Sequence, residues 1–243
     1  VVLVTEHGII NKMSLESFSR PRTAGINAIT LDEGDALTQV VLASEADDVM
    51  IGTGLGQAIR FGMGKFRSMG RGTRGVRGIT LEEGDSVIGM IVVEKDIAVL
   101  TVTENGSGKR SDPDEYRVTG RGGKGVRNFR ITDKTGAAVC LASVREDQEL
   151  LVITRSGTII RMAVSDINVI GRDTQGVRVI RLDEGDSVMA VTVVEKDDVD
   201  PNALESAEEA RAQQAAEAGS TLAEDGDGAD EGDSPDEAGE PEA

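Results

Sequence analysis

The sequence repeats itself four times at a period of about fifty residues, and this repeat constrains the fold more than any local feature. Each repeat opens with an apolar, β-branched run that ends in a turn glycine, and the runs begin at Val1, Val49, Val99 and Leu150. The starts are 48, 50 and 51 residues apart. A second short run follows each turn glycine, which is the pattern of a β-hairpin. A fixed period of this length predicts an array of similar units.

Three further landmarks recur in every unit. A landmark glycine stands at Gly25, Gly75, Gly125 and Gly176, and in the last three repeats a Val-Arg pair follows it and predicts a third strand. An acidic turn comes next, as Leu-(Asp/Glu)-Glu-Gly-Asp at 31–35, 81–85 and 182–186 and in looser form at 132–136. A fourth apolar run, such as 87–93 or 188–194, closes the unit. Four strands per unit are typical of a propeller blade, and the lack of a sustained helical period excludes a helical solenoid.

We therefore predict an all-β fold for residues 1–194, a β-propeller or β-pinwheel with four-stranded blades at about 1–48, 49–98, 99–149 and 150–194. Valine, isoleucine, leucine and alanine must fill its core, because the chain has no Trp, one Tyr and four Phe. From about Glu195 onward Ala, Glu, Asp, Gly and Pro dominate. Such a segment buries too little apolar surface to offset its chain entropy, so we expect residues 195–243 to be an acidic, disordered tail.

The net charge of −18 is unevenly distributed along the chain. Residues 1–194 hold 24 Lys and Arg against 26 Asp and Glu, whereas residues 195–243 hold 2 against 18. The repeats therefore form a near-neutral body, and the low overall pI reflects the tail. We expect the tail to compete with an anionic partner for basic residues of the body.

The residue types that usually carry catalysis or metal binding are scarce. The lone Cys140 lies in an apolar run, which predicts a buried strand and a reducing compartment without an internal disulfide. His7 lies in a turn with no second His or Cys to share a metal, and Tyr116 lies in a loop where we expect a structural role. No run is long enough to span a bilayer and no signal peptide opens the chain. We predict no catalytic residue, metal site or cofactor in this chain, no membrane partner, and a cytoplasmic location.

Basic residues recur at matching positions, and we define three columns by their place in the repeat. The first column, eleven residues after each start, is Lys12, Arg60, Arg110 and Arg161. The second column, four residues before the landmark glycine, is Arg71, Arg121 and Arg172, with Arg20 and Arg22 flanking Pro21 in the first repeat. The third column, two residues after that glycine, is Arg77, Arg127 and Arg178, with Asn27 in the first repeat. Arg74 and Lys124 add to the middle repeats.

Equivalent positions of arrayed units lie on one continuous surface, so the columns predict a basic band that crosses the blades, with the acidic turns forming a separate rim. Lys and Arg beside glycines suit a phosphate backbone, and we interpret the band as a site for duplex DNA. Few aromatic residues argue against stacking of single strands. Without a recognition helix, backbone contact and DNA bending are the expected mode. Each column taken alone is also consistent with an ordinary solvated face.

The motifs at 72–79, 120–126 and 171–178, together with the acidic tail, resemble the C-terminal domain of the DNA gyrase A subunit. The resemblance implies a six-bladed pinwheel that wraps duplex DNA on its basic perimeter and supports negative supercoiling by a type II topoisomerase. It also implies two protein partners in a heterotetramer: the rest of the gyrase A subunit and the gyrase B subunit. ATP and Mg²⁺ would be used elsewhere in that holoenzyme. A bacterial, nucleoid-associated location follows from the same resemblance.

Two departures from the family pattern leave alternatives open. Four blades instead of six imply that two blades precede Val1. The family's Gln-Arg-Arg-Gly-Gly-Lys-Gly box belongs to the first blade, whereas Arg121-Gly122-Gly123-Lys124-Gly125 lies in the third repeat present, as a secondary box or an echo of the repeat. The C-terminal DNA-binding domain of the topoisomerase IV A-type subunit is the nearest alternative. A protein-interaction propeller is another, although the lack of Trp argues against it.

Overall fold

The computed structural model of the chain describes residues 1–20 and 23–196; Arg22 and nearly all of the predicted tail lie outside this part. The described residues form a compact unit built of short strands and 3₁₀ helices. The strands are β1 Val2–Thr5, β2 Ile9–Lys12, β3 Leu37–Val41, β4 Asp48–Thr53, β5 Gln57–Gly62, β6 Val76–Arg77, β7 Val87–Val93, β8 Ala98–Thr103, β9 Ser107–Ser111, β10 Val126–Arg127, β11 Ala138–Val144, β12 Glu149–Thr154, β13 Ile159–Ala163, β14 Val177–Arg178 and β15 Val188–Val194. The 3₁₀ helices are Leu15–Phe18, Met63–Lys65, Pro113–Glu115 and Val164–Asp166.

The predicted hairpins are confirmed in all four repeats. The first two strands of each repeat pair antiparallel, and the closing run pairs with the first strand on its other side. In every hairpin the amide of the turn glycine donates to the carbonyl of the threonine three residues earlier, at 3.0 Å. These glycines have positive φ, which side-chain-bearing residues adopt at a cost.

The predicted four-stranded blades are confirmed in the first three sheets, but the short third strand does not join the sheet of its own repeat. β6 pairs with β2, β10 with β5 and β14 with β9, so each short strand completes the sheet of the preceding repeat. The first three sheets have the orders β3-β1-β2-β6, β10-β5-β4-β7 and β11-β8-β9-β14. The fourth has three strands among the described residues, in the order β13-β12-β15. Neighbouring blades are therefore joined by strand exchange as well as by packing.

The sheets are arranged around the closing strands. β3, β7, β11 and β15 contact one another in succession, which places them on the inner side, and β6, β10 and β14 lie at the opposite, outer edges. Apolar side chains fill the spaces between neighbouring sheets, with one cluster that includes Ile10, Ile51 and Ile79 and another that includes Leu100 and Val152. Aliphatic residues and methionines dominate this core, as the shortage of aromatic residues predicts.

Candidate nucleic-acid interface

Three of the four first-column side chains, those of Lys12, Arg60 and Arg110, lie between blades and not on the outer surface. Lys12 and Arg110 are each 6% exposed, and the Arg60 side chain is 15% exposed. Lys12 Nζ donates to the Met63 carbonyl at 2.9 Å, and Arg60 Nη1 donates to the Pro113 carbonyl at 2.8 Å. Both carbonyls belong to the first residue of the 3₁₀ helix in the next repeat. These cations therefore satisfy main-chain acceptors at the blade junctions.

Arg110 does the same at the third junction, and Arg161 differs. Arg110 Nε donates to the Ile167 carbonyl at 2.5 Å, and its Nη2 lies 3.5 Å from the Ser165 carbonyl. Arg161 is in the fourth sheet, where its side chain is 44% exposed and pairs with Glu149. The DNA-binding assignment of Lys12, Arg60 and Arg110 would require each side chain to leave these partners. We therefore assign them a role in joining the blades.

Replacing Arg110 by methionine should test this role. Methionine keeps an unbranched apolar side chain but cannot donate to the Ile167 and Ser165 carbonyls, so we expect the free energy of unfolding to fall by about 2 kcal/mol. Urea denaturation would measure the change, and salt titration of DNA binding would be run in parallel. The slope of affinity against salt should stay as in the unsubstituted chain. A slope smaller by about one, with unchanged stability, would return Arg110 to the DNA-binding surface.

The second and third columns come together at the blade junctions. Arg121 Nη1 donates to the Arg77 carbonyl at 3.2 Å, and Arg172 Nη1 donates to the Arg127 carbonyl at 2.7 Å. In both cases a second-column arginine reaches the third-column residue of the preceding repeat. Arg77 and Arg127 are exposed and belong to the outer strands β6 and β10. The two columns thus form one cluster of arginines at the outer edge of each of these junctions.

Glycine-containing loops hold the second-column residues against the preceding blade. The Gly122 amide donates to the Gly78 carbonyl at 2.6 Å, and the Thr80 hydroxyl donates to the Gly122 carbonyl at 2.7 Å. The preceding junction repeats this pattern, with Gly72 bonded to Ala28 at 2.9 Å and Thr30 bonded to Gly72 at 2.7 Å. Each loop therefore has a defined shape before any ligand binds.

The remaining predicted site residues divide by exposure. Arg20, Arg71, Arg74, Lys124 and Arg178 are exposed, and Arg172 is half-buried. Asn27, the third-column position of the first repeat, lies outside the named strands. A Cβ placed on the nearby Gly25 would meet nothing within 4 Å, whereas at Gly75, Gly125 and Gly176 it would collide with the backbone of the preceding blade.

The acidic turns do not form a separate rim, contrary to the sequence-based expectation. Asp32 pairs with Arg74, and Glu82 Oε1 lies 3.8 Å from Lys124 Nζ. Each pair joins an acidic turn to the loop of the next repeat. All four side chains are at least 39% exposed, so these pairs are screened and leave the cations accessible to a phosphate. The sequence pattern does not predict such pairs, because the partners are 42 residues apart along the chain.

The three columns omit Arg130 and Asp173, which also lie at this surface. Arg127 Nη1 and Arg130 Nη2 lie 3.4 and 3.5 Å from the same Asp173 oxygen. Desolvation opposes ionisation of Asp173, but the hydrogen bond and charge of Arg127, with Arg130, hold the pKa of its carboxyl below its ordinary value. Asp173 stands where the two preceding loops have Gly72 and Gly122. This departure from the repeat is the sequence signal that could have identified Asp173.

Tyr116 and Cys140, two residues of types that can carry catalysis, are buried within the fold. Tyr116 is 1% exposed and its hydroxyl bonds to Asn128 at 2.5 Å, while burial raises its pKa well above the ordinary value. Burial raises the pKa of Cys140, in β11, to about 12. Within the described ranges, no group of three or more His, Cys, Asp or Glu side chains could hold a metal ion. None of the helices described is long and apolar enough to cross a membrane.

These features define a class, namely a strand-exchanged, propeller-like β array with basic loops at its outer junctions. The family described as the DNA gyrase C-terminal domain, β-propeller, matches residues 1–44, 47–94, 98–139 and 148–195. The chain belongs to this DNA gyrase C-terminal domain family.

Individual relatives and solved structures agree with the family match. The DNA gyrase A subunit of Halalkalibacterium halodurans is 55% identical over 208 residues, which cover 86% of this chain and 25% of that protein. The corresponding protein of Leptospira biflexa is 56% identical over 200 residues, covering 82% and 24%. The chain spans about a quarter of the length of the curated relatives it matches.

Two solved structures share the fold. A structure of the DNA gyrase A C-terminal domain superposes with a TM-score of 0.72 at 29% identity, covering 79% of this chain and 64% of that chain. The C-terminal domain of DNA topoisomerase IV superposes with a TM-score of 0.75, covering 80% and 61%, and at 23% identity it supports the fold alone.

Proposed function

We propose that this chain binds duplex DNA without sequence preference and bends it along the outer edges of the blades, as the DNA-wrapping domain of a gyrase A subunit. The observation that carries the proposal is the meeting of second- and third-column arginines at the outer blade junctions. Arginine side chains at such positions neutralise phosphates, and fixed loops keep them in register. Lys12 and Arg110, which are buried, and Arg60, which is mostly buried, join the blades and are not part of the proposed DNA surface.

The proposed role belongs to a larger enzyme. Joined to the rest of the gyrase A subunit, with the gyrase B subunit bound, the domain would hold a bent DNA segment next to the site of strand passage. The ATP-dependent negative supercoiling would then depend on the bend that this domain imposes. ATP, Mg²⁺ and the cleavage chemistry would be supplied by the other parts of a bacterial, nucleoid-associated heterotetramer.

Duplex DNA binding as a function of salt tests the proposal. Phosphate-dominated binding predicts that log affinity falls linearly with log salt, at a slope of about 0.9 per phosphate contact. Fluorescence anisotropy with two unrelated duplex sequences would measure both the slope and the lack of sequence preference. Absence of binding at low salt, or a slope near zero, would contradict the proposed function.

The alternative of a topoisomerase IV domain differs in the degree of wrapping. The relatives at 55% and 56% identity are gyrase A subunits, which favours the gyrase role. Relaxation of a bound plasmid by an added topoisomerase would separate the two roles, because wrapping leaves a change in linking number that binding without wrapping does not.

A further inference from the structure

Lys109 in β9 is a buried lysine with main-chain partners. It is 0% exposed, its Nζ donates to the Gly171 carbonyl at 2.8 Å and to the Arg172 carbonyl, and it lies 5.5 Å from the centroid of the Phe129 ring. No carboxylate lies within ion-pair distance of it among the described residues. A lysine is rarely buried in this way unless it is paired, which calls for a physical reason.

The same peptide segment is held from its other side by Glu115. Glu115 Oε2 accepts a hydrogen bond from the Arg172 amide at 2.8 Å. The carbonyls of 171 and 172 therefore face a positive charge, while the amide of 172 faces a negative one. The Lys109 ammonium faces carbonyl oxygens and the Glu115 carboxylate faces an amide hydrogen, so each charge has the sign that its peptide group attracts. Charge-assisted hydrogen bonds of this kind are stronger than those between neutral groups. This arrangement fixes the backbone from which the Arg172 side chain reaches the Arg127 carbonyl.

Among the residues that the structure describes, the fourth-repeat loop combines this ionic support with a lack of inner glycines. The positions equivalent to Lys109 are Asn11, Ile59 and Ile160. Gly72 and Gly122 have positive φ, and their amides bond to the preceding blade. The fourth-repeat loop has Asp173 and Thr174 where the third has two glycines, so its backbone takes another course.

The burial of the Lys109 charge carries a desolvation cost. Desolvation is the main cause that lowers the pKa of Lys109 from 10.5 to about 8. The negative charges of Glu115 and Asp173 raise this pKa, and the positive charge of Arg172 lowers it. The folded chain thus binds fewer protons than the unfolded chain between about pH 8 and 10.5, and this group makes unfolding more costly as pH rises through that window. Removing Lys109 alone would also leave the carbonyls of 171 and 172 without this donor, which costs stability as it does at Arg110.

We propose that Lys109 and Glu115 form a charged clamp that positions the loop 171–176 of the fourth repeat, and with it Arg172, for contact with a DNA phosphate. The inference rests on the proposed function, which it deepens. Lys109 is a positioning residue, because its own Nζ is buried and does not reach the surface. Its proposed role is to fix the shape of the loop.

The test compares Lys109→Met with Lys95→Met in the full 243-residue chain. Lys95 is exposed in the turn between β7 and β8, so its replacement removes the same charge without touching the loop. At pH 7 and ~0.1 M salt, Lys109→Met should bind duplex DNA about tenfold more weakly, with a salt slope smaller by about one, because Arg172 loses its position. Lys95→Met should stay within about threefold of the unsubstituted chain.

Stability and pH supply the readouts that a purely structural lysine would not produce. Urea unfolding of Lys109→Met at pH 7 should show a modest loss of stability, since two carbonyls lose their donor, and the rise in stability above pH 8 should shrink. DNA binding by the unsubstituted chain should weaken between pH 7 and 9, and the variant should lose this pH dependence. Glu115→Gln should weaken binding in the same direction.

Several results would overturn the clamp. A Lys109→Met chain that unfolds at pH 7, or that stays folded and binds DNA normally, would make the lysine structural. Equal losses in Lys109→Met and Lys95→Met would assign the effect to net charge. If the unsubstituted chain binds DNA with a steep salt dependence and Lys109→Met binds equally well, the clamp is wrong and the proposed function stands. If the unsubstituted chain does not bind DNA, the proposed function itself fails.

Discussion

Replacing Arg121 and Lys124 together by alanine should weaken duplex DNA binding by roughly 10- to 100-fold at ~0.1 M salt. Both side chains are exposed on the loop that joins the second and third blades. Arg121 lies 5.4 Å from the centroid of the Phe66 ring and bonds to the Arg77 carbonyl, so its guanidinium is oriented before DNA arrives. The salt slope should fall by about two, one unit for each lost phosphate contact.

The matched control for this variant is the pair Arg145→Ala and Arg155→Ala. Both residues are exposed and lie outside the three columns, and their loss changes the net charge by the same amount. Arg145 is paired with Glu94 at 2.6 Å. We expect a change of less than about threefold for the control, because distant exposed charges are screened. Equal losses for the two double variants would show that diffuse charge, and not the band, binds DNA.

Replacing Gly125 by alanine should destabilise the chain more than any other single substitution considered for the loops. Gly125 has a φ of +78°, and a Cβ there would lie 2.2 Å from the Ala58 carbonyl oxygen. A side chain at this φ alone costs about 1 kcal/mol. The collision with backbone cannot be relieved by a rotamer change, so we expect the free energy of unfolding to fall by at least about 3 kcal/mol. Strand β10 must also move away from β5, which would disturb Arg127.

Gly25→Ala is the control that separates strain from collision. Gly25 has nearly the same φ, +79°, but a Cβ there would meet nothing within 4 Å. We expect a loss of about 1 kcal/mol for this variant in urea denaturation. Losses of similar size for the two variants would mean that the contact between Gly125 and Ala58 does not hold the blades together.

The local parts of the fold were predictable because they depend on short-range rules. Turn glycines between apolar runs predicted the four hairpins, and the Val-Arg pairs predicted β6, β10 and β14. The run around Cys140 predicted a buried strand, and Cys140 is buried. Matching positions in the repeats predicted that all three columns would share one surface; the second and third columns meet at two junctions, whereas Lys12 and Arg110 of the first are buried.

The neighbours of each element were not predictable in the same way. Val76 and Ile10 pair across a separation of 66 residues, and nothing in the local pattern of a two-residue strand says which sheet it will complete. Arg60 belongs to the first column and Arg77 to the third, so each is a basic residue that recurs at its position in the repeats. The first faces a carbonyl of the next blade and is mostly buried, whereas the second lies exposed on an outer edge.

The sequence by itself determined the repeat, the strand order within each hairpin, the aliphatic core and the membership of the basic columns. Those features follow from periodicity, turn chemistry and composition, which are properties of neighbouring residues. Only the tertiary structure decided that the third strands are exchanged, that Lys12, Arg60 and Arg110 contact the next blade, and that acidic turns pair with basic loops. Each of these depends on which groups surround a residue after the blades pack, since a charged side chain is exposed or buried according to the partners that packing brings to it.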